Sequence, residues 1–466
     1  FAVSALSTCT YDMPIPPAFR VAGSLLALVI GWSGLPAIAA EQLTLERALQ
    51  RAQQVNENAA IARERLIQAD GAKREAYAEL LPTLSLTASY TPWSDKDDPY
   101  FDGDLGLSLR LFDPSSIPRV RQANRLVEAQ RYDADELRRV LAFDTANGFY
   151  LVLAADALEQ AANRRLGVAD EALRQARVRA EAGLAERSTV TRSELESATA
   201  RTEQIRSRAG ALKARYSLFY LLGAMPEQLQ ADNTWPALTP PVAVEVKPAA
   251  YAQLLAEAQR LRGDLLAAQA RATAARFAAN EPVTDTLPKL FLRAEGTYTD
   301  NADRTFRGDT TDWRASIMAT WELYDGGARY GRRERLVAVA HEAELTAEAA
   351  RRHLGLELSN SLSDLATAIA AVAQAEARLK VARQNAEETG IRFVQGLSTA
   401  LEQADANVAG YEAEVELARS RFNQQQAELT LDHAIGRWPA GSGVTTNDAG
   451  KPGAEQNGAE KPDARP

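Results

Sequence analysis

One plan is written twice in this chain, and that duplication restricts its possible folds more than any other feature. Each copy runs from a helical stretch to a Leu-Pro pair, a short alternating strand, a polar loop, a second strand, an Asp-containing turn and a long helix. Leu81-Pro82 opens the first strand pair and Leu287-Pro288 the second. The expected strands cover 83–90 and 104–112 in the first copy, 289–295 and 313–323 in the second. Asp113-Pro114 and Tyr324-Asp325-Gly326-Gly327 close the pairs, Pro and Gly marking sharp exits from strand into helix.

The strands alternate with period two. Leu84, Leu86, Ala88 and Tyr90 share one face, and Thr83, Ser85, Thr87 and Ser89 the other. Leu105, Leu107, Leu109 and Leu111 oppose Gly106, Ser108 and Arg110, while Trp313, Ala315, Ile317, Ala319 and Trp321 oppose Arg314, Ser316, Thr320 and Glu322. Strand three is less regular, because Phe291 falls among Lys289, Arg293 and Glu295. A soluble half-buried sheet would alternate in the same way. Membrane strands are favoured by lengths of about 9–11 residues and by aromatic residues near the ends, where interfacial girdles form: Tyr90, Tyr298, Trp313, Trp321 and Tyr324. Four strands cannot close a barrel, and an open sheet edge cannot face lipid, so several subunits are expected to share one wall.

After each strand pair comes a helical stretch without interior Pro, over about 118–182 and 329–395. At ~1.5 Å per residue each would reach about 100 Å, a length with no use in a compact domain. Each is expected to turn at a glycine and return as an antiparallel partner. Heptad rows recur at Leu358, Leu365, Val372 and Leu379, at Leu401, Val408, Val415, Phe422 and Leu429, and at Ala198, Ile205, Leu212 and Phe219. All are read as packing seams. Shorter helices at 45–80 and 249–279 lead into the strands.

The boundaries follow. Residues 40–222 form the first repeat and 249–438 the second, joined by a linker at 223–248 that holds Pro226, Pro236, Pro240, Pro241 and Pro248. The tail 439–466 has almost no aliphatic residues and is expected to be disordered. At the other end Met13, Arg20, the apolar run 21–30 and Ala37-Ile38-Ala39 follow the order of a signal peptide, so 1–39 is expected to be removed. The alternative, a retained anchor, would need ~20 apolar residues. Cys9 lies upstream of that site, so no cysteine chemistry is expected of the mature chain.

A net charge of −9 with both signs interleaved offers no basic stripe, which argues against a nucleic-acid partner. The histidines are His341, His353 and His433, and none belongs to a metal or triad pattern. With no phosphate loop either, the chain reads as a non-enzyme with no cofactor.

From Leu43 to Trp438 the arrangement resembles the outer-membrane efflux proteins typified by TolC. Its most specific pieces are the paired Leu-Pro-x-Leu openings, the Tyr324-Asp325-Gly326-Gly327 exit, and the turns Arg179-Ala180-Glu181-Ala182-Gly183-Leu184 and Arg392-Phe393-Val394-Gln395-Gly396-Leu397. The resemblance implies a mainly α fold with a membrane β-barrel segment. Tandem long helical hairpins would form a trimeric α-barrel tunnel in the periplasm, and four β-strands per subunit a shared 12-stranded outer-membrane barrel. It implies a homotrimer touching outer-membrane lipid, a periplasmic adaptor protein and an inner-membrane pump that supplies the energy. The channel itself would be the passive exit duct of a tripartite efflux or type I secretion system.

By the same resemblance Arg179, Gly183, Leu184, Arg392, Gly396 and Leu397 are candidate adaptor contacts at the tips, although ordinary helix-ending glycines would read the same way. Glu402 and Asp405 match the positions of an acidic pore constriction. A spacing of three puts both carboxylates on one helix side, which is equally a solvated face. The first-copy counterpart is Thr189, where many relatives carry Asp. A structural or adhesive coiled-coil trimer without a pore is the competing class, and drug, metal or protein cargo stays open.

Overall fold

The computed structural model describes residues 42–91, 100–224, 236–241, 250–299 and 311–439. The expected signal segment 1–39, most of the linker 223–248, the tail beyond Pro439, and the loop residues Trp93 and Phe306 lie outside the described residues. Pro439 itself is fully buried.

The chain runs α1 (Leu45–Val55), α2 (Glu57–Ala78), β1 (Thr83–Thr91), β2 (Tyr100–Phe112), α3 (Ser116–Glu181) and α4 (Arg187–Leu221). It then repeats as α5 (Tyr251–Leu261), α6 (Gly263–Thr284), β3 (Lys289–Thr299), β4 (Thr311–Thr320), α7 (Ala328–Val394) and α8 (Ala400–Ile435). The duplicated plan therefore holds element by element. The long helices have 66 and 67 residues, so each extends about 100 Å. Pro118 is tolerated in α3 because it sits in the first turn, where its missing N–H is unneeded. Asp113 and Asp325 start the two arms: Asp113 Oδ1 accepts from Ser115 N at 3.1 Å, and Asp325 Oδ2 accepts from Arg329 N at 2.8 Å.

Each leading helix, expected to be continuous, is broken in two. In the first copy the break is at Asn56, whose Oδ1 accepts from Asn58 N at 2.9 Å while its Nδ2 donates to Leu221 O at 3.1 Å. The buried amide thus caps the start of α2 and the end of α4 together. In the second copy the break falls at Arg262, a residue with no side-chain cap. Its guanidinium binds Asp264 at 2.9 and 2.7 Å, pairs with Glu357 at 3.0 Å, and donates to the carbonyls of His433 and Ala434 at 3.4 Å each. Arg139 adds a bond to His433 O at 3.3 Å. Two nearly buried cations at the C-terminus of α8 compensate the partial negative charge of its unpaired carbonyls.

Apolar packing is concentrated near these breaks. Leu45, Leu49, Phe149, Val152, Leu218 and Leu222 form one cluster, against which Leu238 and Trp438 also pack. Leu254, Leu358, Leu365, Leu431 and Ile435 form its second-copy counterpart. Burying each such side chain contributes ~1.5–3 kcal/mol. Further along the arms small residues take over, with Ala375 and Ala413 buried beside Leu379 and Leu417. The expected Leu358, Leu365 and Leu379 seam is core. The first-copy row is split: Phe219 is core and Leu212 half-buried, but Ile205 is 61% exposed and Ala198 is exposed, because that part of α4 packs within the chain through Ser197, Ala200, Ala211 and Ala214 instead.

The strands make one antiparallel sheet in sequential order, β1-β2-β3-β4. β2 starts at Tyr100, so Tyr100 and Phe101, expected in a loop, belong to a strand. β3 continues to Thr299, four residues past its expected end. Among the described residues the outer edges of β1 and β4 have no strand partner.

Candidate functional site

The register sorts the sheet into two faces. Leu84 lies opposite Leu107, Leu86 opposite Leu105 and Tyr90 opposite Phe101. On the same side Leu107 faces Ala294, which faces Ala315. Such cross-strand rows build a continuous apolar surface, and it is solvent-exposed in the single chain: Leu86 is 75% exposed and Trp313 79%. Surfaces of this size and polarity are normally covered by lipid or protein.

The expected girdle residues fall into two levels on this face. Toward the loop end lie Tyr90, Phe101, Tyr298 and Trp313, with the Phe101 and Tyr298 ring centroids 6.3 Å apart. Toward the helices lie Trp321 and Tyr324, both past the last residue of β4 rather than within it. The Trp321 indole N–H donates to Thr286 O at 2.9 Å, which fixes the ring at the rim. From Trp313 to Trp321 the chain rises ~27 Å along its path, about 20 Å along the normal at a tilt of ~40°, close to the ~25 Å apolar band of an outer-membrane barrel.

At the far ends of the arms, Gly183 and Gly396 adopt left-handed φ values of 69° and 75°. Leu184 N donates to Arg179 O at 2.7 Å and Gly183 N to Ala180 O at 3.0 Å; Leu397 N donates to Arg392 O at 2.8 Å and Gly396 N to Phe393 O at 3.1 Å. Both tips are Schellman caps, a geometry for which glycine is the least strained choice. The leucine after the glycine usually folds back onto its own helix in such caps. Here Leu184 and Leu397 are 79% and 68% exposed, so two equivalent apolar side chains project from the tips. The tips also meet each other: the Arg179 guanidinium lies over the Phe393 ring at 4.5 Å.

Glu402 and Asp405 occupy the first turns of α8, both exposed. Glu402 completes a capping box. Its Oε2 accepts from Thr399 N at 2.8 Å and from Ser398 Oγ at 2.7 Å, and its own N–H donates to Thr399 Oγ1 at 3.2 Å. The Thr399 backbone bond first, then the Ser398 and Thr399 side chains, hold its carboxyl below the usual glutamate range. Asp405 and Thr189 line a common cleft of about 430 Å³ between the two hairpins.

The same cleft is lined by a polar fastening that sequence spacing did not signal. Glu414 of α8 binds Arg164 of α3 at 3.0 Å and Arg383 of α7 at 2.7 Å. Burial works to raise its pKa, and the two guanidinium bonds overcome this and lower it. Arg165, 9% exposed, pairs with Glu196 at 2.8 Å and with Glu203, and its guanidinium lies 4.8 Å from the Tyr411 ring centre. The partners are separated by as many as 250 residues, so only the folded hairpins bring them together.

A two-faced sheet standing on paired arms with matching tips is the architecture of a channel protein. The sequence profile of outer membrane efflux proteins matches residues 44–224 and 254–437, and the chain belongs to that family. Solved structures agree on the fold. The outer membrane protein VceC from Vibrio cholerae superimposes with a TM-score of 0.71 at 19% identity, over 84% of this chain and 96% of that one. The Campylobacter jejuni outer membrane channel CmeC gives 0.74 at 15% identity, over 85% and 86%. The open state of the Neisseria gonorrhoeae channel MtrE gives 0.70 at 18% identity, over 84% and 89%. No curated protein sequence matches significantly.

Proposed function

We propose that this chain is one subunit of a homotrimeric export duct, three sheets closing a 12-stranded barrel in the outer membrane and six hairpins forming the periplasmic tunnel. The observation that carries the reading is the four-stranded sheet, apolar on one face and polar on the other, with both edges unpartnered among the described residues. Lipid cannot satisfy the backbone groups of those edges, and three copies can. The exposed Ala198 and Ile205 of α4 fit the same scheme as part of a seam between subunits.

The duct is passive, since a pump in the inner membrane supplies the work. A periplasmic adaptor meets the tips at Arg179, Gly183, Leu184, Arg392, Gly396 and Leu397, where Leu184 and Leu397 offer apolar contacts. Glu402 and Asp405 set the charge of the periplasmic mouth, and the Arg164–Glu414–Arg383 fastening holds the hairpins around it. The test is biochemical and electrical together. The purified protein is expected to run as a heat-resistant trimer in detergent and to give stepwise single-channel currents in planar bilayers. An adhesive coiled-coil trimer would give no currents, and a water-soluble monomer with no affinity for detergent would end the proposal.

A further inference from the structure

The pairing register assigns each charge on the polar face of the sheet to a height. Counted from the loop end toward the helices, the first row holds Asp102 with Ser89 and Thr299, and the second holds Asp104 and Asp312 with Thr87 and Thr297. The third sets Glu295 beside Arg314, in line with Ser85 and Gly106. The fourth holds Arg293 between Ser108 and Ser316. Arg110 follows with Phe291 and Met318, and then Lys289 beside Thr320. The charge therefore changes sign along the strands, from carboxylates alone, through a mixed row, to cations alone.

Two of the cations already have counter-ions from the helical side. Lys289 lies 2.6 Å from Asp285, and Arg110 lies 3.2 Å from Glu79. Among the described residues no ion pair joins Asp102, Asp104, Asp312, Arg293, Glu295 or Arg314 to an opposite charge; Glu295 and Arg314 share a row and offset each other at a distance, so the other four set the field on the face. The Asp312 and Arg293 rows are four residues apart along the strands, ~13 Å. That exceeds the Debye length of about 10 Å at 0.1 M salt, so the two levels are sensed separately; at 1 M, where it is about 3 Å, both are screened.

We infer that the lumen of the barrel carries a fixed axial charge reversal, acidic toward the outside of the cell and basic toward the tunnel. The inference rests on the shared barrel proposed above, whose threefold repetition turns each row into a ring. Each ring repels one sign of solute and concentrates the other. An anion returning from outside meets the acidic ring, and a cation that passes it meets the basic one. A duct too wide to select by size thus resists back-leak of both signs. Asp104, Asp312 and Arg293 are its specificity-determining residues.

Cysteine reactivity tests this without depending on the state of the periplasmic mouth. Thr297→Cys reports the acidic row and Ser316→Cys the basic row, each in a Cys9→Ser background and each first verified as a heat-resistant trimer in liposomes. The probes are a trimethylammonium and a sulfonate methanethiosulfonate of similar size. At 0.1 M salt the cation-to-anion rate ratio is expected to be about tenfold higher at residue 297 than at 316, and at 1 M the two ratios should converge. Asp104→Asn with Asp312→Asn should lower the ratio at 297, and Arg293→Gln should raise it at 316. Equal ratios at the two sites in 0.1 M salt, with both sites reacting, would overturn the charge reversal. A different failure identifies the underlying reading instead. Should Leu86→Cys on the apolar face react in the bilayer while 297 and 316 stay silent, the polar face is not a water-filled lumen and the channel proposal falls with it.

Discussion

Glu402 has two possible duties, and the capping box separates them. Thr399→Ala removes the cap and keeps the charge; Glu402→Gln removes the charge and keeps an oxygen able to accept from Thr399 N and Ser398 Oγ. Loss of an N-cap threonine costs ~1 kcal/mol, about a fivefold rise in the fraction of time the first turn is open. Hydrogen exchange at the amides of Glu402 and Gln403 should therefore speed up about fivefold in Thr399→Ala and stay near wild type in Glu402→Gln. Planar-bilayer currents should show the opposite ranking. If three Glu402 carboxylates ring the mouth, Glu402→Gln weakens divalent-cation block and cation preference, and Thr399→Ala leaves both in place. A Glu402→Gln channel with wild-type block and selectivity would refute the constriction and leave the residue as a helix cap alone.

Four further outcomes are expected. Burial pushes Asp432 up to about 6 against the opposing pull of Arg437, so the stability it contributes is full below its ordinary 3.8 and is lost as pH rises through about 6. The side chain is 32% exposed, so the loss between about pH 4 and pH 7 should be on the order of 1–2 kcal/mol, and melting curves of Asp432→Asn should lack that component. The neighbouring His433 imidazole first, then Arg262, hold Glu357 at about 2, so its contribution is present above 4.5 and lost as pH falls toward 2. Replacing Arg262 by Met should cost about 1.5–3 kcal/mol at neutral pH by removing one charged partner of Glu357 and of the α8 carbonyls, read as a lower melting temperature. Leu184→Ser with Leu397→Ser should leave melting unchanged and weaken binding of the adaptor to the tips, measured by surface plasmon resonance; unchanged binding would remove the leucines from the contact.

Much of the architecture is local enough to be read from sequence. The strands are legible because Leu84, Leu86 and Tyr90 alternate with hydroxyls, and the arms because no proline interrupts them. The tips are legible because a glycine stands at the same point of both copies. The breaks at Asn56 and Arg262 are hidden because helical periodicity runs past them; only the buried partners Leu221 O and His433 O make those residues turning points. The end of β3 was obscured by Phe291, whose polar-face position disguised a regular alternation through Leu292, Ala294 and Tyr298. Heptad spacing located seams without saying whose they are: Leu358 faces its own chain, whereas Ile205 faces outward. The Thr399 to Glu402 spacing of a capping box was present in the sequence alongside the acidic pair. The Arg164, Arg165, Tyr411 and Glu414 assembly had no local signal, because it joins the two copies across space.

The sequential strand order has a genetic consequence. In the shared barrel proposed above, a chain that contributes one uninterrupted arc must hand its β1 edge to one neighbour and its β4 edge to the other, so a defect on either edge cannot be repaired from within the same polypeptide. A cell making faulty and sound copies together would find most of its assemblies spoiled by a single bad member. Lesions at these two edges should therefore act dominantly, whereas lesions in the buried junctions, which stop a chain before it meets its neighbours, should behave as recessive.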